Sequence, residues 1–302
     1  MVAVDIFDSL VTVRCHIAEA ALTASVLGAE REGHGVVVSE EGLVLTVGYI
    51  VTEAESIWIV DKSGNAVAGH LLGYDQISGL GLVQMLGTLD TPRMEIGRSA
   101  ELEVGQEMLL GGVGGRDAAL EVTICELSAF AGYWEYLLDK AIFTEPAHPD
   151  WGGTALVGKD SKLYGIGSLI LQPESKSGSA RNMVIPIDLY SEIVADLLSH
   201  GQRNSAPRPW LGWYVKNSGN GPVVLGTVDG APAEKAGIVD GDIVVAVNSI
   251  RVHSISETFK AIWSAGQAGI EINLAIRREG ELQIMLVSSV DRADLLWRAP
   301  VH

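Results

Sequence analysis

Gly33–Val51 reads GHGVVVSEEGLVLTVGYIV, and its pattern decides the architecture of the first half of the chain. Two apolar runs, Gly35–Val38 and Leu43–Val47, flank the turn Ser39-Glu40-Glu41-Gly42. Short valine- and leucine-rich runs bounded by polar turn residues read as paired strands, with Gly42 at the position where positive φ costs least. The same grammar repeats outward. Leu10–Ile17 alternates, and Ser56–Val60 and Ala66–Leu72 flank the turn Asp61-Lys62-Ser63-Gly64-Asn65. Leu80–Met85, Glu107–Leu110, Leu120–Leu127, Thr154–Val157 and Leu163–Leu171 are further strand candidates. Many short strands with few helices predict an all-β-dominated chain, a barrel or sandwich of antiparallel sheet.

The pattern changes near residue 185. Ile185–His200 places Leu189, Ile193, Val194 and Leu197 on one helical face, and Gly201 supplies the stop. Gly201–Pro209 (GQRNSAPRP) is polar, holds two prolines and reads as a linker. A second β-rich unit starts at Trp210, with helices predicted at Ala231–Ala236 and Ser256–Ala265.

Composition excludes several function classes. The chain has 302 residues, 38 acidic against 21 basic side chains, and a net charge of −17. That balance gives no global attraction to nucleic acid or to an anionic membrane. No run approaches the 18 apolar residues that would insert in a membrane as a helix. Cys15 and Cys125 are too few for a disulfide framework or a four-thiolate zinc site, and read as buried free thiols. The seven histidines show no metal-ligand spacing, so neither a metal nor a cofactor is expected. The glycine cluster Gly111–Gly115 precedes a strand rather than a helix, so it reads as a turn and not as a phosphate cradle. The N-terminus MVAVDIFDSL has two acids and no base, unlike a signal peptide. A cytoplasmic protein is therefore expected, with the periplasm as the alternative for a chain whose leader has been removed.

Gly33–Val51, Gly73–Met85, Ile96–Gly105, Pro149–Gly167 (PDWGGTALVGKDSKLYGIG) and Met183–Pro186 occur in an order that resembles the trypsin-like proteases of the HtrA (Deg) family. From Pro209 onward, Gly230–Gly237 (GAPAEKAG) and Gly241–Asn248 (GDIVVAVN) resemble that family's circularly permuted PDZ domain. The resemblance implies a double six-stranded β-barrel over residues 1–200, a linker over 201–206 and an α+β PDZ domain over 207–302. It also implies a serine endopeptidase, and an assembly that is commonly a homotrimer.

The triad positions carry other residues. By the resemblance, Tyr49 stands at the base, Gly79 at the orienting aspartate and Gly152 at the nucleophile. A glycine has no oxygen with which to attack a carbonyl, and a phenol is a poor base near neutral pH. The oxyanion loop is altered at Asp150, Trp151 and Thr154, with Asp150 bringing a carboxylate where an oxyanion would need donors. These residues predict a non-catalytic member, a pseudoprotease rather than an enzyme. Thr154, Ser78 and His148 lie near the old site, but a His148–Thr154 pair has no evident orienting group. His148 reads instead as a surface-loop residue.

The PDZ resemblance then carries the expected activity. Such domains bind a peptide or protein C-terminus as an added strand, with loop N–H groups capturing the carboxylate. The resemblance puts the carboxylate loop at Pro209–Gly212 and the binding strand at Leu211–Val215. Trp210, Leu211, Gly212, Trp213 and Ile262 are the candidate peptide-binding residues. Trp210 and Trp213 serve either as anchors or as packing; Phe259, Ile262 and Trp263 follow core periodicity, with Ile262 the candidate groove residue. The expected role is scaffold, adaptor or regulator; the alternatives are a serine endopeptidase with a rearranged site and a chaperone-like holdase. A groove filled by a partner or by the chain's own tail, Val301-His302, is a third reading.

Overall fold

The hairpin read from Gly35–Val47 forms strands β2 and β3 of a closed barrel in the computed structural model, which describes residues 6–173 and 178–297. Its strands are β1 (Leu10–Ile17), β2 (Glu30–Val37), β3 (Leu43–Val47), β4 (Ala54–Val60), β5 (Ala66–Asp75) and β6 (Leu80–Met85). They close in the order β1-β2-β3-β6-β5-β4, all neighbours antiparallel. Gly42 takes φ +81°, as the turn requires. Two single helical turns, α1 (Ala24–Leu27) and α2 (Gly48–Val51), interrupt the barrel strands. Alternation sends Val11, Val13, Cys15 and Ile17 inward, while His16 stays on the outer face. Burial pushes the Cys15 thiol up to about 12 against the pull of Arg31; Cys125 is only half-buried, and both thiols are free.

A second closed barrel has the order β10-β11-β12-β9-β8-β7. Its strands are β7 (Glu107–Gly111), β8 (Leu120–Gly132), β9 (Tyr136–Glu145), β10 (Ala155–Val157), β11 (Leu163–Leu171) and β12 (Arg181–Pro186). The alternation expected to end at Leu127 runs on to Gly132, and β9 was not anticipated. The polar pair Asp139-Lys140 interrupts its apolar pattern, whose inner residues Leu138, Ala141 and Phe143 are buried. The glycine cluster forms the connection between β7 and β8. Helix α3 (Asp188–His200) buries Tyr190, Ile193 and Leu197 and stops at Gly201, whose N–H donates to Leu197 O at 3.0 Å.

The predicted linker is not free of structure. Arg203 forks onto Asp75, Nε to Oδ1 at 3.1 Å and Nη2 to Oδ2 at 2.9 Å, and Asp75 is 2% exposed. Burial works to raise the Asp75 carboxyl, but Arg203 and Ser78 together hold it below the usual carboxylate range. A buried carboxylate needs such a partner, which a polar reading of GQRNSAPRP does not reveal.

The chain divides into two units. The first holds the chain up to Ser128, Lys140–Asn204 and Trp297; the second holds Ala129–Asp139 and Ser205–Leu296. The second unit is a sheet of order β13-β14-β15-β17-β18 with β16 paired to β15. Its strands are β13 (Trp213–Ser218), β14 (Gly221–Thr227), β15 (Ile243–Val247), β16 (Ile250–Arg251), β17 (Glu271–Arg278) and β18 (Glu281–Ser288). Helices α4 (Pro232–Lys235) and α5 (Ile255–Ser264) complete it. Ser254 caps α5 by accepting from Glu257 N at 3.2 Å. Phe259 and Ile262 from α5 pack with Trp213, Val215, Leu274 and Ile276 in one buried cluster. Each such side chain contributes about 1.5–3 kcal/mol through burial.

Candidate functional site

Two places carry the chemistry of interest, and each is built from local structure. The first is the cleft around Tyr49, Gly79 and Gly152. Tyr49 sits on α2, held from below by Arg31, whose Nη1 donates to Tyr49 O at 2.9 Å and to Thr52 O at 3.1 Å. Its phenol donates to Ser168 O at 2.9 Å, and burial pushes its pKa well above the ordinary tyrosine value. Gly79 precedes β6 and accepts from Gly48 N at 2.7 Å, which ties its loop to the turn bearing Tyr49. Gly152 accepts from His34 N at 2.7 Å, and a Cβ placed on it would stand 2.9 Å from the Tyr49 hydroxyl. The structure thus brings Tyr49 and Gly152 together, with Gly79 one hydrogen bond from the turn that bears Tyr49.

Around them, Asp150 and Trp151 are exposed, while Thr154 is fully buried and donates to Trp151 O at 3.1 Å. His148 is only 5% exposed, correcting its reading as a surface residue. Its backbone is fixed by Asn182, and Asp150 N donates to its Nδ1 at 3.1 Å. Nδ1 also lies 2.7 Å from Asp150 O and Nε2 lies 2.8 Å from Ala118 O, so both ring nitrogens are engaged. His148 and Thr154 therefore do not pair. His34, which the sequence reading passed over, accepts from Val113 N through Nδ1 at 3.1 Å. Burial lowers its pKa, with Asp150 opposing and His148 adding to the effect.

The second place is the loop before β13. Trp210 is tied to Val290 by reciprocal backbone bonds, N to O at 3.0 Å and 3.1 Å in return. Leu211, Trp213 and Ile262 belong to the buried cluster, and Gly212 takes φ +75°. A Cβ on Gly212 would lie 2.3 Å from the Ala231 Cβ, so the loop admits no side chain there. The Leu211 N–H donates to Glu135 Oε1 at 3.1 Å and Oε2 at 3.2 Å. Burial pushes the Glu135 carboxyl up to about 8, against the pull of the Leu211 and Gly212 amides, Arg292 and the Trp213 indole N–H. Sequence reasoning missed Glu135. Its signal was present, because Phe130, Tyr133, Trp134 and Tyr136 crowd around it in a chain only 6% aromatic.

Residues 33–166 match the family described as trypsin-like peptidase domain, and residues 209–288 match the PDZ domain. A "Probable periplasmic serine endoprotease DegP-like" of Chlamydia muridarum is 28% identical over 267 residues, 82% of this chain and 52% of its own length. The "Putative serine protease HhoB" of Synechocystis is 24% identical over 280 residues, 84% of this chain and 65% of its own. The "Serine protease PepD" of Mycobacterium tuberculosis is 27% identical over 259 residues, 77% of this chain and 55% of its own. The chain spans about half to two-thirds of the length of these curated relatives. Among solved structures, the "HtrA-type protease AlgW with decapeptide" has a TM-score of 0.55 at 21% identity, covering 95% of this chain and 96% of its own. The serine endoprotease from Yersinia pestis has 0.52 at 21%, covering 94% of each. These two share the fold.

The names overturn two expectations. The chain was expected to be no enzyme, yet the relatives it matches are named as serine proteases. That expectation weighed three side chains, whereas the likeness extends across the whole peptidase-like domain. A cytoplasmic location was expected from the first residues, but relatives from several organisms are named as periplasmic. The likeness lies in the folded domains, whose residue patterns do not report a compartment.

Proposed function

Because the chain belongs to the HtrA family, in which a trypsin-like peptidase domain precedes a PDZ domain, we propose that its second unit binds peptides by their C-terminal carboxylates. The observation that carries this reading is the pair of bonds from Leu211 N–H to a carboxylate at 3.1 and 3.2 Å. A backbone donor that already meets both oxygens of a buried carboxyl group is placed as peptide-terminus capture requires. Leu211 supplies the donor, and Gly212 allows the backbone turn that aims it. Trp210 anchors the loop to Val290, and Trp213 and Ile262 form the packed floor beneath β13 and α5. The domain limits we propose are 1–200, 201–206 and 207–302.

In this reading the chain acts as an adaptor in the periplasm, assembled as a homotrimer, which light scattering on the purified protein tests. The relatives' names support serine endoproteolysis as the class for the cleft; fluorophosphonate labelling read by mass spectrometry identifies any activated side chain there. Peptide capture is tested by titrating the full chain with a C-terminal decapeptide library, as free acids and as amides. Binding of free acids with loss in the amides supports the reading. Equal binding of both sinks it, as does binding of neither by the chain and by its Glu135→Ala variant.

A further inference from the structure

The carboxylate that Leu211 holds belongs to the chain itself. Strands β8 and β9 continue into a hairpin whose tip, Ala129–Asp139, clusters with the second unit. The tip meets that unit in the manner of a strand ligand. Glu135 places its carboxylate on the loop before β13, and Tyr133 O, two residues earlier, accepts from Val215 N at 2.8 Å. A two-residue step is the period at which an extended strand presents successive backbone groups to one neighbour. Two residues earlier again, Ala131 packs against the buried cluster beneath β13 and α5. On the helix side, Lys260 of α5 lies 3.3 Å from Asp139, an exposed pair that contributes little by itself. Loop, strand and helix are therefore all engaged by one segment.

The tip is built for this position. Glu135 is 5% exposed and takes φ +60°, a conformation that L side chains seldom adopt. The rings of Trp134 and Tyr136 stack at 5.7 Å, and Tyr133 packs edge-on against Trp134 at 4.8 Å while facing Tyr214 at 5.9 Å. A solvated turn needs none of these contacts.

We propose that the hairpin tip is the resident ligand of the peptide groove, with the Glu135 carboxyl group occupying the place of a peptide's C-terminal group and Tyr133 that of the residue two before it. This rests on the peptide-binding reading above. An incoming peptide binds by displacing the tip, so its apparent affinity is the intrinsic one reduced by the fraction of open groove. The ligand class is an extended peptide with a free C-terminal carboxylate and an aromatic residue two before its end, where it meets Tyr214.

The test uses a fluorescein-labelled peptide that copies Ser128–Trp134 and ends in alanine as a free acid, together with its amide. Both are titrated into the full chain and into its Glu135→Ala variant. At least tenfold tighter binding of the free acid by the variant, with the amide weak for both, is expected. Equal binding of the free acid by both proteins overturns the resident ligand while leaving peptide capture standing. Failure of both proteins to bind this probe and the decapeptide library overturns both. Hydrogen exchange in the unaltered chain gives a second reading independent of any variant's folding. The Val215 amide is expected to be protected without peptide, and fast exchange there overturns the proposal.

Discussion

The Tyr49 hydroxyl lies 2.9 Å from the point where a Cβ on Gly152 would stand, and it is held there by its bond to Ser168 O at 2.9 Å. The two positions are thus sterically coupled: a side chain on Gly152 requires the Tyr49 hydroxyl to shift. Gly152→Ser is expected to destabilise the first unit by about 1–3 kcal/mol, the cost of overpacking a filled site. Tyr49→Phe, which removes the obstructing oxygen, is expected to restore most of that loss. Denaturant melts of both single variants and the double variant check the coupling; strictly additive effects would contradict it.

Arg203 neutralises a carboxylate that burial would otherwise penalise. Removing it leaves Asp75 charged and buried, so Arg203→Ala is expected to cost about 3–5 kcal/mol at pH 7. The sign with pH follows from the depressed carboxyl of Asp75. Its stabilising contribution is present above the ordinary aspartate pKa of about 3.9 and is lost as pH falls through its lower folded value. Without Arg203 the remaining burial raises that carboxyl, so the variant's defect should shrink between pH 7 and pH 4. A defect of equal size at both pH values would count against the pairing.

Glu135 titrates in the opposite sense. Its folded carboxyl is pushed up to about 8, above the ordinary glutamate value near 4.5. Docking of the tip therefore takes up a proton, is complete below about 4.5 and weakens as pH rises through about 8. Arg292, Tyr133 and Tyr214 lie near it, and burial pushes the Tyr214 phenol up from the ordinary tyrosine value, away from that window. Hydrogen exchange over residues 129–139, corrected for intrinsic rates, should accelerate between pH 5 and pH 9. In Glu135→Gln that dependence should flatten; an undiminished slope would point to another group.

Phe259 is fully buried at the centre of the second unit's cluster, stacked on Trp263 at 5.6 Å. Phe259→Ala is expected to cost about 3–5 kcal/mol through lost burial and a residual cavity. Calorimetry of the full chain should show this as a lowered transition for the second unit. A shift of less than 1 °C would mean that the site collapses without cost.

What was legible in advance follows the range of the interactions. Runs such as Leu10–Ile17 and Leu80–Met85 declare their strands because alternation and turn residues act over a few positions. For α3 the expected stop at Gly201 and the buried Ile193 and Leu197 hold, but Tyr190 completes the buried face while Leu189 and Val194 are only half-buried. β9 escaped because Asp139-Lys140 breaks its alternation, and the strand is held by neighbours distant in sequence. Of the candidate site residues, Tyr49 and Gly152 could be placed from motif spacing. Their contact through the Tyr49 hydroxyl could not.

By itself, the sequence determined a β-dominated chain with a second β-rich unit after residue 209, and its resemblance to a known family implied two barrels followed by a PDZ domain. Those properties come from local periodicity, turn chemistry and motif order, all written along the chain. Only the tertiary structure decided that Arg203 answers Asp75, that His148 is buried with both nitrogens engaged, and that Glu135 reaches Leu211. These pairs lie 128, 30 and 76 residues apart. Their cause is the cost of burying a charge or a polar atom without a partner, a demand that arises only once the chain has closed on itself.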